Sequence, residues 1–423
     1  MKTKWELSRF AILRKDDFFE IVSPSGGLYQ LDREMVQKLL ELHNQKPLKI
    51  FSEIEQFAID EFLITETEKE IKDPFQIDRV LENLDRKNLK ILTLCDLSLL
   101  ITRNCNYQCR GCSVSARPIA FKPSKVDWKK IISDGASFGA INLGITGGEP
   151  ILPQQIDFVC ELVAWARNLG YRKVVIATNG CYLPKYINQL QEAGATRFSV
   201  SYHGSAEYAH EYTGNRNAKR YSESAIEAIL GSNAYLTINC VVTRKNFDQL
   251  DSIVAEILPL IENHPHAYLR FSPLISVGDA KENSEYQLTR DDYILLFAKI
   301  ANWKAKFDRL VRLTCDEECF ADDPMLCDAG LTYAIVNEQG IVSACDLLET
   351  ILPVSNLKTS FLEAWNNSRL WKDYREITPI NQQCVRCGEQ NRKFCFGRCK
   401  ALSYLRHGSL LMNKKPKEGR CLE

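Results

Sequence analysis

Cys105, Cys109 and Cys112 stand in the spacing Cys-x3-Cys-x2-Cys, directly after the apolar run 99–101. Thiols at such short intervals on one loop are metal ligands by chemistry. A cubane iron–sulfur cluster has four irons and is normally closed by four thiolates. Three close neighbours hold three irons and leave the fourth open to another ligand, which implies chemistry at the cluster beyond electron storage. The same cysteines also fit half of a zinc site, which would need a fourth ligand near by. Neither Cys nor His lies between Cys112 and Cys160.

Residues 141–145 read as a buried strand running into Thr146-Gly147-Gly148-Glu149-Pro150. Two glycines at a strand end let a small ligand approach the backbone, and Glu149 offers a carboxylate to an ammonium group. Taken alone, the segment also reads as a strand-to-helix turn with Pro150 near the first helical position. Together with the three cysteines it resembles the radical S-adenosylmethionine (SAM) superfamily. The resemblance implies that Cys105, Cys109 and Cys112 carry a [4Fe-4S] cluster whose fourth iron is chelated by SAM, with Gly147, Gly148 and Glu149 holding the SAM amine. It further implies that an electron from a donor such as flavodoxin or ferredoxin leads to cleavage of SAM into methionine and a 5′-deoxyadenosyl radical, which abstracts hydrogen from an unactivated carbon.

Such chemistry needs a scaffold, and the chain supplies a pattern for one. Apolar runs at 97–103, 141–146, 174–178, 198–202, 236–242 and 268–273 alternate with amphipathic stretches. In one of these, Ile156, Val159, Cys160, Val163 and Ala166 recur three and four residues apart. Six strands alternating with helices argue for parallel pairing through right-handed crossovers. A partial (β/α)6 TIM-type barrel fits the count, with chemistry at the carboxyl ends of the strands. An open doubly wound sheet has the same periodicity; the resemblance implies the barrel.

By that resemblance, Thr178 after the third strand, Ser201 at the end of the fourth and Asn239 in the fifth line the cofactor pocket. Ordinary turn or ladder satisfaction is the alternative for each. Two positions depart from the pattern. Ser201-Tyr202-His203-Gly204 stands where relatives often read Ser-Ile-Asp-Gly, and Thr213 follows Tyr212 where an arginine is common. Arg216 is a candidate to replace that charge, and His203 reads as a polar residue at the barrel mouth.

The cysteines beyond residue 310 form a second signal. Residues 337–340 read as a hairpin turn between 333–336 and 341–343, which would bring Cys327 and Cys345 together. On spacing alone, zinc could occupy two four-cysteine sites here. Beside a radical SAM core the pattern resembles a SPASM domain with two auxiliary [4Fe-4S] clusters. The resemblance implies Cys327, Cys345, Cys399 and either Cys319 or Cys315 for the first, and Cys384, Cys387, Cys395 and Cys421 for the second. The gap before Cys395 is two residues longer than the usual five, which lengthens a loop and removes no ligand. Asp346 matches the general base of the sulfatase-maturating branch, and a hairpin-capping aspartate is the alternative.

Sixteen cysteines are then accounted for by eleven ligands and five others, among which Cys95, Cys160, Cys181 and Cys240 read as small buried side chains. The chain is long, begins without a signal-peptide pattern and has no stretch able to span a bilayer, so no membrane association, a reducing environment and a cytoplasmic location are expected. Fifty-four basic and fifty-four acidic residues balance, without a basic block, which disfavours a nucleic-acid partner.

In the first ninety residues, 10–13, 18–22 and 28–31 look like three short strands. Asp32 can cap a following helix, and Ser52 with Glu55 forms a capping box for a second. This order resembles the winged-helix-like recognition module of peptide-modifying radical enzymes, in which the leader of a precursor peptide adds a strand to a sheet edge. Expected domains are therefore 1–90 for peptide recognition, 91–310 for the barrel and 311–423 for the auxiliary clusters. The expected function is that of a radical SAM maturase of a ribosomally made precursor peptide, and the expectation admits a small accessory protein. A sulfatase-maturating, formylglycine-forming enzyme is the alternative, and a non-enzymatic electron carrier would have no use for an open iron.

Overall fold

In a computed structural model, the described residues are 3–8, 11–14, 18–22, 28–47, 51–61, 63–68, 76–85, 93–119, 124–313, 329–330, 333–349, 355–356, 361 and 364–365. Cys315, Cys319, Cys327, Cys384, Cys387, Cys395, Cys399 and Cys421, expected above as auxiliary ligands, lie outside them.

The N-terminal part contains β1 (Lys4–Leu7), β2 (Ala11–Arg14), β3 (Phe19–Val22), β4 (Leu28–Leu31), α1 (Arg33–Glu41), α2 (Glu53–Asp60), β5 (Ile64–Thr67) and α3 (Ile77–Asn83). The three expected strands form an antiparallel sheet in the order β2-β3-β4. Asp32 caps α1 through Met35 N at 2.8 Å, and Ser52 and Glu55 make the expected capping box. Glu55 is buried because its second oxygen also accepts from Trp5 Nε1, at 2.9 Å. The antiparallel pair of β1 with β5 was not legible in the sequence. Ile12, Ile21, Leu31, Val36, Leu39 and Leu40 belong to a core that draws only on residues 5–84.

The larger part continues with β6 (Asp96–Leu100), α4 (Trp128–Ser137), β7 (Asn142–Thr146), α5 (Ile156–Asn168), β8 (Lys173–Thr178), α6 (Leu183–Ala193), β9 (Arg197–Ser201), α7 (Ala206–Thr213) and α8 (Ala218–Leu230). Then come β10 (Tyr235–Val242), α9 (Leu250–Ile261), β11 (Ala267–Pro273), α10 (Arg290–Phe307), β12 (Val311–Leu313), β13 (Tyr333–Asn337), β14 (Ile341–Ser343), α11 (Asp346–Glu349) and β15 (Ser355–Asn356). All six expected strands are present. A seventh parallel strand, β12, is too short to carry a periodicity of its own.

The strand order β12-β11-β10-β9-β8-β7-β6 is strictly sequential and parallel. A doubly wound sheet would reverse its order at a switch point. Single winding decides between the two architectures: this is a barrel arc with its helices on one face. The arc does not close onto itself, because β13 occupies the free edge of β6 in parallel register, with Tyr333 opposite Asp96 and Asn337 opposite Leu100.

Alternation along the strands sorts the residues by face. Leu143, Ile145, Val174, Ile176, Phe198, Val200, Leu269 and Phe271 are buried in one cluster with helix residues such as Val159, Leu162, Val163 and Trp303. Full burial of each such aliphatic side chain contributes roughly 1.5–3 kcal/mol. The alternate positions Gly144, Ala177, Ser199, Ser201 and Asn239 are small or polar, which leaves the inner face of the arc open to a ligand.

Candidate active site

The loop after β6 carries all three cysteines, and four parts of the chain hold that segment in shape. At the end of β7, Gly148 N donates to Thr102 O at 2.7 Å and Glu149 N to Asn104 O at 2.8 Å. The end of α7 accepts Gln108 N at Thr213 O and Arg110 N at Tyr212 O. Downstream of β11, Asp279 N donates to Cys112 O, and the Asp279 carboxylate pairs with Arg117. From the C-terminal hairpin, Glu338 and the buried Glu349 take the Arg103 guanidinium at 2.8 and 2.6 Å, while Arg103 also donates to Val114 O.

The two glycines of the Gly-Gly-Glu-Pro segment have a structural reason. A Cβ on Gly147 would collide with the Thr102 carbonyl oxygen, and one on Gly148 with that of Asn104. The close approach that these glycines permit is made by the chain's own backbone as well as being open to a ligand. Gly148→Ala must therefore push the cysteine loop off β7. The expected cost is about 1–3 kcal/mol of stability, with several-fold lower iron retention. Thermal unfolding and iron content measure both, and a variant equal to the parent in both would show the contact to be slack.

Glu149 is fully buried. One oxygen accepts from Thr178 Oγ1 at 2.8 Å and Ile151 N at 3.2 Å, and the other from Asn179 N at 2.7 Å. Burial pushes its carboxyl up to about 7, against the pull of these three donors toward the ionised form. Its hydrogen bonds tie the ends of β7 and β8 together, and its side chain does not line the cavity described next.

One cavity collects most of the singled-out residues. Cys105, Cys109 and Cys112 line it with Gly147, Gly148 and Thr178; Asn179, Ser201, His203 and Tyr212 continue the wall. Asp346 reaches the same cavity from the C-terminal hairpin, more than two hundred residues away. Asn239 does not line it: its Oδ1 accepts from Arg270 Nε at 3.0 Å and Ser272 Oγ at 2.7 Å. Thr213 is buried with its hydroxyl on Ala209 O, and Arg216 is exposed and does not line the cavity.

The thiols suit a metal cluster by their surroundings. Tyr107 N donates to Cys105 Sγ at 3.4 Å and Ala116 N to Cys112 Sγ at 3.2 Å, while Cys109 sits among Tyr208, Tyr212 and Leu274. Burial pushes the Cys105 thiol up to about 12, with nearby Glu149 adding to the effect, and raises Cys109 well above the usual thiol range. Any metal cluster taken up here would have to displace protons from these thiols. Three sulfurs on one wall, two of them already accepting backbone N–H groups, fit a three-cysteine iron–sulfur site.

His203 is buried, and burial lowers its pKa to about 4, so the imidazole is neutral at ordinary pH. Its ring lies 4.8 Å from that of Tyr212, and Nδ1 has no hydrogen-bond partner among the described residues. Cys345 heads α11, its carbonyl accepting Leu348 N and Glu349 N. Asp346 is the first residue of that helix and accepts from Tyr333 Oη at 2.9 Å. The expected turn is present: Asn337 Oδ1 accepts from Gln339 N and Ile341 N, and Gly340 adopts φ +76°. The pairing of Arg103 with Glu338 and Glu349 spans more than two hundred residues and leaves no local pattern in the sequence, and Tyr333 meets Asp346 only because the hairpin folds back over thirteen residues.

Among similar proteins is an AdoMet-dependent heme synthase of Oleidesulfovibrio alaskensis, 27% identical over 339 residues, which cover 73% of this chain and 83% of that protein. Another is a PqqA peptide cyclase of Xanthomonas euvesicatoria pv. vesicatoria, 25% identical over 318 residues, covering 72% and 83%. In fold, the chain is similar to Streptococcus suis SuiB bound to its precursor peptide SuiA, with a TM-score of 0.69 at 16% identity, covering 96% and 98%. It is also similar to anSMEcpe with bound AdoMet and a peptide, with a TM-score of 0.55 at 17% identity, covering 75% and 92%. The sequence profile described as the radical SAM superfamily matches residues 99–257, the span that runs from β6 through the cysteine loop to α9. This chain therefore contains a radical SAM domain and is an enzyme that uses S-adenosylmethionine.

Proposed function

We propose that this enzyme is a maturase that modifies a residue of a ribosomally made precursor peptide. The observation that carries the proposal is the shared cavity, in which three thiols meet a carboxylate, Asp346, delivered by the C-terminal hairpin. When bound, a [4Fe-4S] cluster and SAM together supply radical abstraction of a hydrogen atom. Cys105, Cys109 and Cys112 would hold that cluster. Gly147, Gly148, Thr178 and Ser201 border the space for SAM, with Glu149 bracing the strand ends behind them.

Within this reading, Asp346 acts as the base that removes a proton from the substrate as its radical is oxidised. The Tyr333 hydroxyl holds its carboxylate at the cavity wall. The C-terminal region, 311–423, is read as a SPASM domain whose two auxiliary [4Fe-4S] clusters take the second electron. Cys345, directly before Asp346, is its one proposed ligand among the described residues. The N-terminal region, 1–90, is read as a winged-helix-like leader-binding module, and 91–310 as the partial barrel. A soluble electron donor such as flavodoxin or ferredoxin and a cytoplasmic location complete the proposal.

A peptide substrate is supported by the likeness to PqqA peptide cyclase and by the separate N-terminal core with edge strands at β2 and β4. The test is anaerobic reaction with SAM, a reductant and peptides encoded by small reading frames beside the gene, read by mass spectrometry. A mass change confined to one peptide, absent in Asp346→Asn, is expected. Turnover of a heme precursor with every peptide unchanged would replace this reading with one like the heme synthases, and oxidation of a Cys or Ser in a sulfatase would replace it with the sulfatase-maturating one.

A further inference from the structure

Asn179 follows β8 and makes hydrogen bonds in four directions. Its backbone N donates to Glu149 Oε2 at 2.7 Å, and its Oδ1 accepts from Cys181 N at 3.0 Å. Its Nδ2 donates to Asn106 Oδ1 at 2.8 Å and reaches Cys105 Sγ at 3.8 Å. Gly180, at φ +83°, has Ala225 and the Tyr221 carbonyl at the place a Cβ would occupy, which fixes the backbone just after it. The carboxamide is thus pinned at both ends and aimed at one sulfur of three.

We propose that Asn179 is a positioning residue that tunes, through the Cys105 thiolate, the reduction potential of the cluster the three cysteines hold, with Glu149 as its anchor. The inference rests on the reading that the three cysteines hold a cluster. A side-chain N–H directed at a thiolate stabilises the added electron density of the reduced state, and so raises the potential. The three thiols are unequal in this respect. Cys105 has two donors, Tyr107 N and Asn179 Nδ2; Cys112 accepts from Ala116 N; Cys109 faces aromatic rings. Among the described residues, the contact from Asn179 is the one side-chain donor to these sulfurs (Asn106 Oδ1, 4.0 Å from Cys105 Sγ, is an acceptor), so it can be removed by substitution while the backbone donors stay. This also gives the buried Glu149 a task that needs no direct contact with SAM: holding the backbone from which the amide is aimed.

The test uses the reconstituted full-length enzyme with Asn179→Leu and Asn179→Asp. Asp keeps the oxygen that accepts Cys181 N, loses the donor and adds charge, so it carries the test even where Leu disturbs folding. Three readouts are taken: iron content, thermal unfolding, and redox titration of the electron-spin signal that changes on adding SAM. Expected is unchanged iron with a SAM-responsive cluster about tenfold less reduced at a fixed solution potential, a downward shift of about 59 mV for a one-electron couple, larger in Asp than in Leu. Unchanged potentials with full iron in both variants would overturn the proposal. So would loss of iron at unchanged potential, which would make Asn179 part of the loop scaffold only. A parent enzyme that loads no SAM-responsive cluster would instead strike the three-cysteine reading itself.

Discussion

Replacing Cys105, Cys109 and Cys112 together by alanine should abolish SAM cleavage outright and remove about a third of the bound iron, leaving roughly eight of twelve atoms if three [4Fe-4S] clusters are present. The expected loss is complete because, among the described residues, no other cysteine lines the cavity. Cys181 packs against the same small cluster as the three cysteines but, like Cys95, Cys160 and Cys240, does not line the cavity. Folding of the arc should survive, since its main apolar cluster draws on strand and helix residues and includes none of the three cysteines. Iron and zinc analysis of the anaerobically reconstituted protein, with chromatography of 5′-deoxyadenosine, gives the answer. Near four irons per chain with zinc making up the rest would refute the auxiliary clusters, and cleavage persisting in the triple variant would refute the assignment of the loop.

The barrel arc was legible because its strands obey two rules at once. Within the strands from β7 to β11, alternate residues such as Leu143 and Ile145 or Leu269 and Phe271 are apolar and packed in one core with helix residues, and each strand is followed by a helical period. The N-terminal strands and both helix caps were legible for a different reason: Asp32 and the Ser52–Glu55 pair act within three residues, where sequence and structure nearly coincide. Legibility fails where partners are distant in sequence. The pairing of β13 with β6 joins residue 333 to 96, and the Arg103 clamp joins the cysteine loop to Glu349. Glu149 shows a subtler limit. A carboxylate after two glycines reads equally well as a ligand for an ammonium and as a brace for two strand ends. Only its burial and its three protein donors separate the two.

The Arg103 clamp also links the cysteine loop to the C-terminal hairpin. Arg103 lies two residues before Cys105, and Glu349 lies one helical turn after Cys345. Glu349 is buried and also accepts from Asn337 Nδ2, so the contact is rigid and shielded from solvent, where a charged pair is hard to break. Loop and hairpin are thereby fixed to each other through one guanidinium, which keeps Asp346 at a constant place on the cavity wall whatever occupies it.

Removal of residues 1–90 should separate recognition from chemistry. The apolar core of this part draws only on residues 5–84, and the barrel core draws on none of them. Between the two parts, the described hydrogen bonds are Ile12 N to Thr93 Oγ1 and Arg172 to Ser8 Oγ. The truncated enzyme should therefore keep its iron and its uncoupled cleavage of SAM. Leader binding should fall at least about a hundredfold, which is a loss of about 2.7 kcal/mol, and modification of the full precursor should fall with it. The reason is geometric. Strand β4 is an edge of its sheet, Tyr29 on it packs edge-on to Phe57 of α2 with ring centroids 5.1 Å apart, and an extended leader laid along that edge would pair with its backbone while its apolar side chains meet α1. Titration of a labelled leader peptide into full-length and truncated protein measures the difference. Equal affinity in both would make this part a structural cap and move peptide recognition to the barrel mouth, where His203 and Tyr212 would be the first residues to substitute.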